Sequence, residues 1–210
     1  MKENSLISNA YSVIAGLWCS PQDVDIEDLR KEACDVIQNL QEIAPESAHL
    51  LYKFIKEEPI PEEEYVELFE LSPACSLYLG SHTFEEPKTC SGAAVSDRNE
   101  YMIELHAIYK HFGKNLNGKE LPDYLPVMID FLSLTTGSAD NPVRKKFINE
   151  YFSPYLPPIR KRLEELNTPY LHLFDAMENI IRIEIKSGKQ EQNPGNHEQI
   201  FLETVLEPGT

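Results

Sequence analysis

A helical repeat is clearest in residues 25–43, whose sequence is DIEDLRKEACDVIQNLQEI. Apolar side chains recur in it every three or four positions, so that they share one face of an α-helix. They are Ile26, Leu29, Ala33, Val36, Leu40 and Ile43. This stretch therefore predicts an amphipathic helix whose apolar face is directed at a core.

Similar stretches lie on both sides of this one, and proline residues stand between the stretches. Proline interrupts an α-helix because it lacks an N–H group and clashes with the preceding turn. Further helices are predicted over residues 5–18, 123–136, 142–152 and 158–166. Two more begin at prolines, one from Pro45 and one from Pro61 as a first-turn residue. Another covers residues 97–113 with Asp97 as the cap, and the last runs from Thr168-Pro169 to about Lys186.

One short stretch, residues 181–185, alternates in the manner of a strand, but it continues the apolar stripe of Leu173, Ala176 and Ile180, so we expect helix there. The whole pattern predicts an all-α fold, a single-domain bundle of about eight to nine helices over residues 1–186. Residues 83–96 lack periodicity and are predicted to form a loop. Residues 187–210 are predicted to form a polar linker and an apolar tail, which either packs on the body or occupies a binding groove.

The charge of the chain restricts its partners. Among 210 residues, 35 are Asp or Glu and 19 are Lys or Arg, which gives a net charge of −16 at pH 7. Nucleic acids and anionic membranes are bound through Lys and Arg, so neither is expected as a partner, whereas a basic peptide would be attracted. No apolar run approaches the roughly 18 residues of a membrane span, and no secretory signal is recognisable. These observations predict no membrane insertion and a cytoplasmic location.

The sequence predicts no metal site. Its four cysteines, Cys19, Cys34, Cys75 and Cys90, show no C-x-x-C spacing and are interpreted as reduced thiols. The six histidines include no H-E-x-x-H pair. We therefore expect no bound metal, no resident cofactor and no catalytic residue of these types.

Two local patterns suggest chemistry but have simpler interpretations. Residues 113–119 fit the phosphate-binding pattern G-x-x-x-x-G-K, yet Glu120 stands where Ser or Thr should follow, and the segment comes after a helix. Glu120 and Asp123 could act as an acid–base pair or hold magnesium. Spacing favours Asp123 as the cap of the next helix, with Glu120 as a favourable charge near its start.

Charged runs also permit two interpretations. Seven glutamates between residues 57 and 70 surround Tyr65, Leu68 and Phe69. They form either a solvated face or an acidic rim around an apolar surface that docks a basic amphipathic helix. The basic runs at residues 144–146 and 160–162 could meet an anionic cofactor, but solvation at the surface is favoured.

Two blocks of sequence resemble a known family. They are YVELF at residues 65–69 with PACSLYL at 73–79 and His82, and ELPDYLP at 120–126 followed by IDFL at 129–132. The chain is similar to the NarJ-type molybdoenzyme chaperones of the TorD/DmsD/NarJ superfamily. Tyr109 also falls at a family position. After His82, however, the family continues with a Gly and then an Arg-Gly pair, which this chain lacks, so nitrate reductase is not assumed as the client.

The resemblance implies an all-helical cytoplasmic chaperone, not an enzyme. Such proteins bind the N-terminal peptide of the catalytic subunit of a molybdoenzyme of the DMSO reductase superfamily and hold that subunit for insertion of the molybdenum cofactor. Peptide-binding residues carried over by motif are Tyr65, Leu68, Phe69, Leu77, Tyr78, His82, Tyr109, Glu120, Pro122, Asp123, Tyr124 and Pro126. Core packing is the alternative for Leu68, Leu77 and Tyr78. Rival hypotheses are a weak GTP hydrolase that uses Glu120 and Asp123, and a self-associating helical scaffold; monomer and dimer both remain open.

Overall fold

The computed structural model describes residues 2–84, 96–116 and 118–190. Within these residues the chain forms α-helices and no β-strand, which confirms the predicted all-α fold. The helices are α1 (Lys2–Leu17), α2 (Ile26–Leu40), α3 (Pro45–Lys56), α4 (Glu62–Phe69), α5 (Asp97–His111), α6 (Leu125–Thr135), α7 (Pro142–Lys146), α8 (Leu156–Leu166) and α9 (Tyr170–Gln190). Short 3₁₀ segments occur at Leu79–His82, Thr136–Ser138 and Ser153–Tyr155, and a π-helical turn at Phe147–Phe152 joins α7 to the last of these.

Helix starts follow local chemistry, with three corrections. Ser96, rather than Asp97, caps α5, because its hydroxyl accepts the Asn99 N–H group. Pro61 is the residue before α4 and not its first residue. Asp123 does not cap α6: Tyr124 precedes that helix, and the Asp123 side chain points elsewhere.

The core surrounds α1, which packs against α2 and α6, while α3 packs against α2 and α9. At the end of α1 the Trp18 ring is fully buried among aromatic rings. Its neighbours are Phe69, Tyr170 and Phe174, at centroid distances of 5.9, 4.9 and 6.4 Å. Edge-to-face and tilted contacts of this kind add to the stabilisation that comes from burial alone. This cluster fixes the C-terminal end of α1, where the candidate site begins.

The two basic runs differ from the prediction in one respect. Arg144, predicted to be solvated, is buried and bound to Glu184 of α9. Arg160 and Arg162 lie at the surface of α8, where Arg160 pairs with Asp175 and Arg162 with Glu165. Because the surface arginines already have acidic neighbours, neither run resembles an anion site.

The strand-like stretch at residues 181–185 lies inside α9, so the helical prediction is confirmed. The backbone of α9 extends to Gln190. Residues 191–210, which contain the apolar tail, lie outside the described residues, as do residues 85–95 of the predicted loop with Cys90. None of the helices in the described part of the chain combines the length and hydropathy that a membrane span needs.

Candidate functional site

The two sequence blocks that carry the family resemblance meet in space. Tyr78 and Tyr124 form an isolated antiparallel bridge. The Leu79 N–H group donates to the Asp123 carbonyl oxygen at 3.0 Å, and the Leu125 N–H group donates to the Leu77 carbonyl oxygen at 2.8 Å. This bridge joins residues 46 positions apart in sequence and is the centre of the candidate site.

The two tyrosines of the bridge lie side by side. Their ring centroids are 5.2 Å apart, and the Tyr78 hydroxyl donates to the Glu120 carboxylate at 2.6 Å. Burial raises the pKa of Tyr78, and the bond to Glu120 raises it further, so this hydroxyl stays protonated. Burial also raises the pKa of Tyr124 to about 12. Both rings thus present neutral, half-buried faces.

Asp123 is fully buried behind the bridge. Its Oδ2 atom accepts the Gly80 N–H group at 2.9 Å and lies 3.8 Å from Nη2 of Arg98 on α5. A Cβ atom at position 80 would stand 2.9 Å from the same oxygen, so only glycine permits this approach. Burial raises the pKa of Asp123, while the Gly80 hydrogen bond and Arg98 lower it. The carboxylate therefore fixes the bridge from inside.

Two further predicted residues brace the two segments that form the bridge, one residue for each segment. The Tyr109 hydroxyl on α5 donates to the Pro122 carbonyl oxygen at 2.7 Å. His82 makes a 2.7 Å hydrogen bond between Nε2 and the carbonyl oxygen of Ser76. Each holds a turn of backbone next to the bridge.

Burial divides the twelve predicted peptide-binding residues into two groups. Those in the core are Tyr65, Phe69, Leu77, Tyr109, Asp123 and Pro126, and those partly exposed are Leu68, Tyr78, His82, Glu120, Pro122 and Tyr124. The apolar face of α4 is thus directed inward, and the Tyr65 hydroxyl donates to the Trp18 carbonyl oxygen at 2.8 Å. The predicted docking surface of Tyr65 and Phe69 within the acidic run is therefore part of the core.

An open groove of about 670 Å³ lies beside the bridge, and we call it the acidic groove. One wall comes from α1 and the connection after it, and the other from the loop before α6 and the first turns of α6. It is lined by Ser12, Ala15, Gly16, Cys19, Asp23, Asn115, Leu116, Lys119, Glu120, Tyr124, Pro126, Val127 and Asp130. Three of the predicted residues, Glu120, Tyr124 and Pro126, lie here. The α1 wall was missed, because α1 carries no motif; its adjacent small residues Ala15 and Gly16 were the only signal.

The acidic groove has a negative field. Burial raises the pKa of Cys19 to about 11, and the charges of Asp23, Asp130 and Glu120 contribute in that order. Burial raises the pKa of Asp130 as well, against the opposing charge of Lys114. Three carboxylates therefore act on one point of the groove, which favours a cationic ligand.

His82 lies in a different cleft from the acidic groove. That cleft, of about 470 Å³, is lined by Ser76, Ser81, Lys161, Arg162 and other residues. The structure therefore does not bring His82 into the groove with Glu120 and Tyr124.

The phosphate-loop pattern is a helix end. Gly113 follows α5 with a φ of 69°, and Gly118 has a φ of 77°, both in the left-handed region that favours glycine. No group of three or more His, Cys, Asp or Glu side chains in the described ranges is arranged to hold a metal ion.

Similarity to known proteins extends over most of the chain. The family model described as nitrate reductase delta subunit matches residues 38–176, more than half of the chain. The chain belongs to this family. The resemblance to NarJ-type proteins is thereby confirmed, and the matched residues include the bridge, Asp123 and one wall of the acidic groove.

Two relatives from the nitrate reductase delta subunit family have names that describe a role. The chain is 28% identical over 165 residues to the nitrate reductase molybdenum cofactor assembly chaperone NarJ of Escherichia coli K12. The aligned region covers 76% of this chain and 64% of NarJ. The chain is 32% identical over 114 residues to the probable nitrate reductase molybdenum cofactor assembly chaperone NarW of the same strain, which covers 54% of this chain and 44% of NarW. The matched part thus spans somewhat less than two thirds of NarJ.

Proposed function

We propose that this protein is a cytoplasmic assembly chaperone that binds the N-terminal peptide of a molybdoenzyme catalytic subunit in the acidic groove and holds it while cofactor is inserted. Family membership and the names of NarJ and NarW support a chaperone rather than an enzyme. They also make a nitrate reductase the first client to test.

The observation that carries this proposal is the pairing of carboxylates with an apolar floor. Asp23, Glu120 and Asp130 lie at the groove, and the apolar residues Ala15, Pro126 and Val127 also line it. A basic amphipathic peptide complements both features, because its cations meet the carboxylates and its apolar side chains displace water from the floor. The net charge of −16 speeds the encounter, and apolar burial lengthens the bound lifetime.

The test is calorimetric titration of the full chain with a synthetic peptide that reproduces the N-terminus of the nitrate reductase catalytic subunit from the same genome. We expect micromolar or tighter binding that weakens as salt is added, because exposed charges are screened at about 8–10 Å in physiological salt. Asp130→Asn should weaken binding by roughly 5-fold or more, since it removes one carboxylate from the groove.

Asp35→Asn is the matched control, because Asp35 is exposed on α2 and lines none of the cavities described above. It makes the same change of charge and should leave the affinity unchanged. Equal weakening by both variants would show a general field effect and no site at the groove. Absence of binding to any molybdoenzyme N-terminal peptide would contradict the proposal.

The two rival functions have less support. A hydrolase that uses Asp123 would need that carboxylate at a surface, but it has no exposed area and is bound to the Gly80 N–H group. A self-associating scaffold would stay oligomeric when peptide is added, which light scattering with and without peptide measures directly.

A further inference from the structure

The connection between α1 and α2, residues 18–25, contributes to the lining of the acidic groove and of a second cavity. This second cavity, which we call the apolar pocket, has a volume of about 30 Å³. Its walls include Leu17, Ile26, Phe54, Ile60 and Tyr170. Cys19 lines both the apolar pocket and the acidic groove, so the two cavities adjoin the same short connection.

The size and chemistry of the apolar pocket restrict what can enter it. Its volume of about 30 Å³ exceeds the roughly 10–15 Å³ that a cavity needs to hold one water molecule, so a small chemical group has room to enter. A short aliphatic side chain fits such a space, whereas an aromatic ring would require the walls to move. Pro21, Pro59 and Pro169 stand in the lining of the pocket, and the ring of each limits the backbone conformations available at that position.

The mouth of the apolar pocket is acidic. Glu57 and Glu58 lie there with exposed side chains, and neither makes an ion pair with a residue of the described ranges. Arg30, the basic residue in the lining, donates from Nη2 to the backbone carbonyl groups of Ile55 and of Glu57, the latter at 2.9 Å. The guanidinium therefore holds the end of α3 in place, and the two carboxylates face solvent.

We infer that the peptide site continues across the α1–α2 connection, so that the client peptide lies in the acidic groove and also places one short aliphatic side chain in the apolar pocket, next to a basic residue that meets Glu57 and Glu58. This inference rests on the proposed function. Cys19 lines both cavities, and each cavity combines apolar walls with carboxylates. A single amphipathic basic segment would complement both of them. Because the pocket is preformed, little ordering of the protein opposes binding there.

The test is titration of the full chain with the same synthetic N-terminal peptide after Ile60→Trp, which fills the apolar pocket from its half-buried edge. Affinity should fall about tenfold, since the aliphatic anchor is excluded. Ile103→Trp is the control, because Ile103 is 60% exposed on α5 and lines none of the cavities described above. It should bind the peptide as the wild-type chain does.

A second variant avoids any question of folding. Glu58→Lys reverses an exposed charge at the pocket mouth, and Glu42→Lys makes the same change beyond the far end of α2. We expect Glu58→Lys to weaken binding several-fold more than Glu42→Lys. If the wild-type chain binds, Asp130→Asn weakens binding, and both pocket variants match their controls, the site is confined to the groove and this inference is wrong. If the wild-type chain binds no peptide, the proposed function itself fails.

Discussion

In the part of the chain that the structure describes, two guanidinium–carboxylate pairs have one fully buried partner, Arg144 in the first and Asp123 in the second. They differ in how completely they are hydrogen-bonded. The Arg144 side chain donates to both oxygens of Glu184, to the Thr135 hydroxyl at 2.9 Å and to the Leu132 carbonyl oxygen at 3.1 Å. At the bridge, Arg98 and Asp123 approach only to 3.8 Å. There, Nε of Arg98 and Oδ1 of Asp123 have no hydrogen-bond partner in the described part of the chain.

The two pairs also differ in which parts of the chain they connect. The complete pair joins α7 to α9 and, through a 3.0 Å hydrogen bond from Tyr11 to Glu184, also to α1. It therefore connects three helices that are far apart in the sequence. The incomplete pair lies where the two family motifs meet, and its closest approach of 3.8 Å is longer than a hydrogen bond.

The largest expected effect follows from loss of Arg144. Arg144→Met should lower the free energy of unfolding by about 3–5 kcal/mol, because it leaves the Glu184 carboxylate with little compensation. Chemical denaturation followed by circular dichroism measures this change.

The double variant Arg144→Met/Glu184→Leu is the control for that measurement. Replacement of both partners removes the uncompensated charge, so much of the lost stability should return. A cost below about 1 kcal/mol for the single variant would show that the complete network does not stabilise the bundle.

A smaller effect is expected at Asp123. Asp123→Ala removes the acceptor of the Gly80 N–H group and should cost about 1–3 kcal/mol, since that buried donor loses its partner. Asp123→Asn keeps an acceptor oxygen and should cost less. Peptide affinity should follow the same order, because the bridge positions Tyr78 and Tyr124. Equal losses in the two variants would contradict a role as hydrogen-bond acceptor.

These residues also show how far sequence reasoning extends. Apolar periodicity and proline positions predicted the helices, because both are local properties of the chain. Asp123 was misread as a helix cap, since its partner Gly80 is 43 residues away and only the folded chain brings the two together. Arg144 was misread as solvated for the same reason, as Glu184 lies 40 residues further on. The α1 wall of the acidic groove was missed because small residues on a helix have many other uses.

The pH dependence distinguishes Asp123 from its asparagine variant. Burial raises the pKa of Asp123 in the folded protein above that of the unfolded chain. The folded state therefore binds more protons in the interval between the two pKa values, and stability falls as pH rises through it. Asparagine does not titrate, so the stability of the wild type relative to Asp123→Asn should decrease as pH rises from about 4 towards neutrality. Urea titrations across that range measure the difference, and parallel curves would contradict it.

The smallest change in stability is expected for an ion pair that is exposed to solvent. Lys31 and Asp28 on α2 lie only 2.7 Å apart, closer than Arg98 and Asp123, but their side chains are 74% and 68% exposed. Lys31→Met preserves helix propensity and should change stability by less than about 0.5 kcal/mol, and added salt should remove even that. If distance governed the three pairs, this variant would cost more than Asp123→Ala. We expect the reverse, because the removal of one partner is costly only where water cannot replace it.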